Sequence, residues 1–424
     1  MTTFRPWTLL NGKWGHPLHS MSSYLGTFPP SLVRTMIELF TDEKDYVFDP
    51  FCGRGTTLLE SRFANRIGIA SDLNPLAYRL TMSKNVNISK ENVLDRILDL
   101  KKDFSLNMYL PEANVQSEEI KLIYHPYTLA QLCYLREELL DSELNEDIFL
   151  LGVLLGIMHG GERKDGSSIY ASISMPNTFS MSPNYVRKYV GRNKLKRVER
   201  NVFDLLENRV NRLLNDDLNY KQGHVFQLDA KQLKNTNQLS KFNKKIKLVV
   251  TSPPYLNIIN YALQNWIRLW LLNENPKEIH QKLDDDLIIG EAISFLKLII
   301  NNLKEIIMED GIIVFIIGDV VKSENSIISL AKDLIKHLHS EQMFNYIGLW
   351  NDSINESNKV TKIWSEKKGK ATNIDRILIL SNKVPKFNLN NVVQAFNLPG
   401  EISENELDAI ELQKNALSFA GIHN

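Results

Sequence analysis

Two adjacent prolines, Pro253 and Pro254, follow the apolar run Leu248-Val249-Val250 in a chain of 424 residues. The run reads as a buried strand. Consecutive prolines neither continue a sheet nor enter a helix interior, so the backbone must stop and turn there. Ser252, the two prolines and Tyr255 are thereby presented at the carboxyl end of a strand, the edge at which open α/β sheets bind ligands. These residue types suit a planar heterocycle held under the Tyr255 ring while oxygen acceptors engage its amino group.

A second motif lies far upstream: Asp49-Pro50-Phe51-Cys52-Gly53-Arg54-Gly55-Thr56-Thr57. A short strand pattern ends at Asp49, and Thr56 to Phe63 has the apolar spacing of a helix. The glycines thus sit on a strand-to-helix turn, where a ligand can approach the backbone closely. Leu58 stands where a dinucleotide fingerprint needs its third glycine, which argues against a pyrophosphate cofactor. The next strand, Arg66 to Asp72, ends in an acid placed to accept from ribose hydroxyls. His224 to Ala230 reads as a further strand ending in Asp229, an acceptor for the exocyclic amine of an adenine ring. Any one Asp after a strand is common turn chemistry. Three at strand ends beside a glycine turn make a pattern.

Together these motifs resemble the S-adenosylmethionine-dependent amino-methyltransferases of DNA, over residues 1–84 and 221–382. The Ser-Pro-Pro-Tyr form is similar to the cytosine-N4 enzymes. Adenine-N6 enzymes more often carry Asp or Asn at position 252, and an adenine-N6 or an RNA amino-methyltransferase stays open as an alternative. Here the cofactor motif precedes the catalytic one, and a long insert separates Asp72 from Asp229. The resemblance implies S-adenosylmethionine as cofactor, held by Asp49, Pro50, Phe51, Gly53, Gly55, Thr56, Asp72, Asn74 and Asp229. Phe28, before the Pro29-Pro30 helix start, packs on its methionine end. Ser252, Pro253, Pro254 and Tyr255 form the catalytic turn. Double-stranded DNA is the implied partner, with a base flipped out of the helix. A restriction-modification or defence setting follows, with a cognate restriction endonuclease, in the cytoplasm of a prokaryotic cell.

Composition narrows the alternatives. Cys52 and Cys133 are the only cysteines, which excludes a zinc cage built on paired cysteines; no metal is expected. Carbon-5 methylation of cytosine needs a thiolate nucleophile, and neither cysteine adjoins a suitable proline. No apolar stretch reaches the roughly 18 residues of a membrane helix, and the amino terminus lacks the layout of a secretory signal. Basic and acidic residues balance at 50 each, so their distribution matters more than their sum. The basic run holds Arg187, Lys188, Arg192, Lys194, Lys196 and Arg197, interleaved with aromatics, which suits contact with phosphates and unstacked bases. A nuclease reading of Asp352 with Glu366-Lys367-Lys368 rests on spacing common in charged loops.

The expected fold is α/β: a Rossmann-like class I methyltransferase with a seven-stranded, mostly parallel sheet. Strands end near Asp49, Asp72, Asp229, Thr251, Gly318, Trp350 and Ser381, and the last runs antiparallel. Helical patterns at Tyr261–Leu272, Ala292–Met308 and Ser326–His339 separate the later strands. Tyr261 and Trp266, on the helix after the catalytic turn, read as a core stripe, with pocket lining as the alternative. Residues 85–220 form a mainly helical inserted DNA-recognition region, with helices at Glu91–Phe104, Thr128–Leu140, Glu146–Met158 and Arg197–Leu214 and an irregular loop at Gly160–Asn184. Residues 1–84 and 221–382 form the catalytic domain, and 383–424 a tail.

Overall fold

The computed structural model describes residues 14–254, 260–283, 287–323, 326–353, 370–397 and 409–422. Its sheet holds β1 (Tyr46–Asp49), β2 (Ile67–Asp72), β3 (His224–Gln227), β4 (Ile246–Thr251), β5 (Ile307–Ser323), β6 (Ser326–Ile328), β7 (Tyr346–Ser353) and β8 (Lys370–Ser381). The order is β3-β2-β1-β4-β5-β8-β7, with the short β6 paired to β5. Pairing is parallel from β3 through β5. β8 runs antiparallel to both β5 and β7, so β7 points the same way as the parallel set. This is a Rossmann-like, mostly parallel sheet with one reversed strand, β8, between β5 and β7.

Alternation of side chains splits the core across the two faces of the sheet. Phe48, Val249, Ile313 and Phe315 face one side. There they meet α14 (Ile289–Ile306), α15 (Leu330–Ser340) and α17 (Ala409–Ala420). Val47, Leu248, Val250, Val314 and Ile316 face the other, against α1 (Pro30–Phe40) and α16 (Leu389–Phe396). The carboxy-terminal helices α16 and α17 therefore pack on the sheet. Among the described residues, no helix is long and apolar enough to cross a membrane.

Helices α2 (Thr56–Phe63) and α3 (Pro75–Met82) follow β1 and β2. The chain then leaves the sheet and returns beside its exit, where Ile88 bridges Leu218. The buried Arg62 guanidinium spans this crossing, donating to the carbonyls of Lys84, Val86, Tyr220 and Lys221. Between lie α4 (Lys90–Asp103), α5 (Leu106–Val115), α6 (Glu118–Ile123), α7 (Pro126–Leu140), α8 (Asn145–Ile157), α9 (Pro183–Asn193) and α10 (Val202–Leu213). Their core is continuous with Leu18, Met21, Leu59, Leu76 and Leu80 of the sheet-bearing part, so the helical layer shares one hydrophobic interior with the layer that carries the glycine turn.

Several elements differ from the sequence reading. The expected helix at Tyr261–Leu272 is two short ones, α11 (Tyr261–Gln264) and α12 (Trp266–Leu271), separated at Asn265, whose φ is −118°. α13 (Pro276–Lys282) follows. The pattern at Ser326–His339 starts with β6, and its helix begins only at Leu330. The irregular loop expected to Asn184 ends at Ser182, which accepts from the Tyr185 N–H and caps α9 over Pro183–Asn193, so the first part of the basic run is helical. β3 ends at Gln227, and Asp229 caps a 3-10 turn over Ala230–Asn235.

Candidate active site

The sheet reverses its order of connection between β1 and β4, and clefts form at such switch points. One opens here, enclosing about 830 Å³ including its mouth. The glycine turn after β1 and the Ser252 turn after β4 both line it. Of the residues expected to hold a cofactor, Phe28, Pro50, Phe51, Gly53, Thr56, Asp72, Asn74 and Asp229 line this cleft. So do Ser252 and Pro254 of the expected catalytic turn. Pro253 is buried beside them. Tyr255 lies outside the described residues.

Asp72 sits on the floor. Its Oδ2 accepts from the Gly53 N–H at 3.0 Å and its Oδ1 from the Asn74 N–H at 2.9 Å. Desolvation lifts its carboxyl to about 6 against the pull of these backbone donors. Asn74 in turn caps α3 by accepting from the Leu76 N–H. One acid thus joins the glycine turn to the start of α3 and still presents acceptor capacity to the cleft.

Two expected cofactor residues do not line the cleft. Asp49 is fully buried. Its Oδ1 accepts from Thr251 Oγ1 at 2.6 Å and the Phe51 N–H at 3.1 Å, and its Oδ2 from Thr57 Oγ1 at 2.8 Å. It is a clamp between β1, β4 and α2, and burial pushes its carboxyl up to about 6. Gly55 faces Thr81 instead: a Cβ there would lie 2.9 Å from Thr81 Oγ1, and its φ of +78° favours glycine. Behind the turn, Lys84 Nζ donates to the Arg54 carbonyl at 2.6 Å.

Ser252 Oγ is buried and has no hydrogen-bond partner among the described residues. A buried hydroxyl without a partner is costly in a stable fold and is common where a ligand completes the bonding. Cys52 also lines the cleft, but burial pushes its thiol well above the ordinary range, so it stays protonated.

Sequence reasoning missed much of the wall. Tyr24 and Tyr261 both line it, their rings 5.8 Å apart and inclined by 22°, so Tyr261 is not part of a core stripe. Trp266 is buried in the helical core, as expected. Phe295 of α14 lies 5.9 Å from Phe51 across the cleft. Tyr24 lies shortly before Phe28 in the sequence, and its aromatic ring was the available signal; Phe295 had none. Arg187, Lys188, Arg192, Lys194, Lys196 and Arg197 are exposed on α9 and the segment after it, and none lines the cleft. Arg187 pairs with Glu119 at 2.9 Å. Asp352 is buried in β7, and Glu366 to Lys368 lie outside the described residues. Among the described residues no group of three or more His, Cys, Asp or Glu is arranged to hold a metal ion.

A cleft lined by two acids, Asp72 and Asp229, and by the rings of Tyr24, Phe28, Phe51, Tyr261 and Phe295 offers acceptors and stacking faces to a polar, ring-bearing ligand. The chain is 28% identical over 121 residues to a tRNA (guanine(10)-N2)-dimethyltransferase of Methanocaldococcus jannaschii, covering 28% of this chain and 31% of that protein. It is 43% identical over 53 residues to the type II methyltransferase M.XycI of Xanthomonas campestris pv. cyanopsidis, covering 12% and 18%. It is 38% identical over 64 residues to the type II methyltransferase M.HindIII of Haemophilus influenzae, covering 15% and 20%. The chain therefore spans about a fifth to a third of the length of these curated relatives. Among solved structures, the rRNA methyltransferase aviRa from Streptomyces viridochromogenes aligns with a TM-score of 0.34 at 11% identity, covering 93% of this chain and 99% of that one. Residues 7–83, which contain the glycine turn and Asp72, match the DNA methylase family N6_N4_Mtase.

Proposed function

We propose that the protein is an S-adenosylmethionine-dependent DNA methyltransferase that modifies the exocyclic N4 of cytosine in a flipped-out base. The observation that carries this reading is the unpartnered Ser252 hydroxyl in the same cleft as Gly53 and Asp72. Asp72 accepts from ribose hydroxyls, Asp229 from the adenine amine, and Phe51 with Phe28 covers the apolar parts. Bound there, the cofactor supplies a methyl group on a sulfonium, a strong electrophile.

The remaining work falls to this chain. The target amine is a poor nucleophile because its lone pair is delocalised into the ring. Ser252 Oγ and the Pro253 carbonyl accept its two N–H bonds and turn the lone pair out of the ring plane. Tyr255 stacks on the base, worth about 1–3 kcal/mol, which offsets part of the few kcal/mol that flipping costs. Fixing the amine in line supplies much of the acceleration. Its proton leaves to solvent. The exposed basic residues of α9 and the segment after it contact DNA phosphates, and residues 85–220 serve recognition. A restriction-modification or defence setting, with a cognate endonuclease, completes the reading.

Incubation with methyl-labelled cofactor and mixed DNA and RNA, then digestion and mass spectrometry of the nucleosides, tests it. N4-methyldeoxycytidine is the expected product. N6-methyldeoxyadenosine, or label confined to RNA, overturns the assignment of the target.

A further inference from the structure

Arg268 of α12 is fully buried, and among the described residues its hydrogen-bonding partners include no carboxylate. Its Nε donates to Leu155 O of α8 at 3.0 Å. Nη1 donates to Ser23 O and to Asn265 Oδ1, each at 2.9 Å. Nη2 donates to Ser23 Oγ at 3.1 Å and Asn177 O at 3.2 Å. The guanidinium fork therefore joins the segment before Tyr24, helix α8, the loop before α9 and its own helix. A buried cation balanced only by neutral acceptors is tolerated when every bond is made. The rigid fork makes loss of one bond a strain on the others.

The same segments are fastened independently. Ser23 Oγ donates to Asn177 O. The Ser180 N–H donates to Gln264 O, and Trp266 Nε1 to Met181 O, each at 2.5 Å. On α8 a Cβ at Gly156 would lie 1.9 Å from Met21 O, so the backbones meet directly. Next to Ser23 is Tyr24, and three residues before Gln264 is Tyr261, the ring pair on the cleft wall. Residues 177–181 do not line the cleft, yet they lead through Ser182 into the basic helix α9.

We propose that Arg268 is a positioning residue that couples the loop at residues 177–181 to the cofactor cleft, by holding Tyr24 and Tyr261 in register with that loop. The inference rests on the cofactor reading of the cleft and not on the identity of the target base. Ordering Tyr24 by cofactor orders the loop, and engagement of α9 is transmitted back along the same bonds.

Hydrogen exchange on the full chain, with and without saturating S-adenosylmethionine, tests the coupling. In the wild type, exchange of peptides spanning residues 176–182 is expected to slow about fivefold or more on cofactor binding. Arg268→Lys keeps the charge and loses the fork. Its loop response is expected to fall below about twofold while cofactor Kd stays within about threefold. Ser23→Ala removes the hydroxyl that accepts from Arg268 Nη2 and is expected to weaken the response with the cation in place, which keeps the test decisive if the lysine variant folds poorly. A wild-type loop indifferent to the cofactor, or a full response retained in these variants, overturns the proposal. Calorimetry on the same samples reads cofactor binding separately, so a protein that binds S-adenosylmethionine without a loop response refutes the coupling and not the cofactor reading.

Discussion

Replacing Asp72 by asparagine tests the electrostatics of the cleft floor. In the wild type each carboxylate oxygen already accepts one backbone N–H, from Gly53 and from Asn74. A carboxylate has about four lone-pair sites, so about two remain for ribose hydroxyls. Asparagine offers one oxygen and an amide NH2. One backbone N–H then faces another donor, and at most one acceptor site remains for the ribose. A hydrogen bond to a charged group is worth about 1.5–3 kcal/mol. Losing one and neutralising the other comes to about 3 kcal/mol, or roughly a hundredfold in Kd.

The same residue fixes a pH dependence. Burial holds the Asp72 carboxyl up at about 6, and the proposed contact with a cofactor ribose needs the deprotonated acceptor. Cofactor binding therefore favours the ionised form, and affinity falls as pH drops through about 6. At pH 5 only about a tenth of the protein is ionised at this site, so Kd is expected to be about tenfold weaker than at pH 7. Asp72→Asn is expected to flatten this profile as well as weaken binding. Titration calorimetry of S-adenosylmethionine from pH 5 to 8 measures both. A variant Kd within threefold of wild type, or a wild-type profile flat across that range, refutes the argument.

Ser252→Ala removes the proposed amine acceptor and is expected to lower kcat about 10- to 100-fold, equivalent to about 1.4–2.8 kcal/mol, with cofactor Kd within threefold; lost cofactor affinity by calorimetry refutes the assignment. Thr251→Val withdraws a 2.6 Å hydroxyl donor from buried Asp49 and is expected to cost about 1–3 kcal/mol in urea unfolding. The Thr251 bond holds the Asp49 carboxyl down against desolvation, so its loss raises that carboxyl further above about 6. A folded pKa above the unfolded one gives stability present in acid and lost as pH rises, so the penalty is expected to be larger at pH 8 than at pH 5. Changing Lys188, Arg192 and Lys196 together to alanine is expected to reduce the salt slope of duplex DNA binding by about 2–3; an unchanged slope removes α9 and the segment after it from the DNA interface.

What was legible in the chain follows from how each signal is written. Strand ends could be read because apolar alternation and the Pro253-Pro254 stop are local properties of sequence. That Gly53 and Ser252 share a cleft is a topological consequence: β1 and β4 are neighbours, with Val47 opposite Leu248 and Phe48 opposite Val249, and the sheet reverses order between them. Any two bends at the carboxyl ends of those strands must meet. Asp49 is turned inward by a near partner and a distant one, Thr57 in its own motif and Thr251 202 residues away, and the distant one leaves no mark beside it in the sequence. Arg62 and Arg268 were illegible for a deeper reason. Most of their acceptors are backbone carbonyls, which every residue carries, so burying these cations leaves little trace in the sequence of the partners. The Trp-Ile-Arg-Leu-Trp-Leu run of α12 sets one cation in an otherwise apolar helix. Only the tertiary arrangement shows that the cation points in, where it donates to Ser23, Leu155, Asn177 and Asn265.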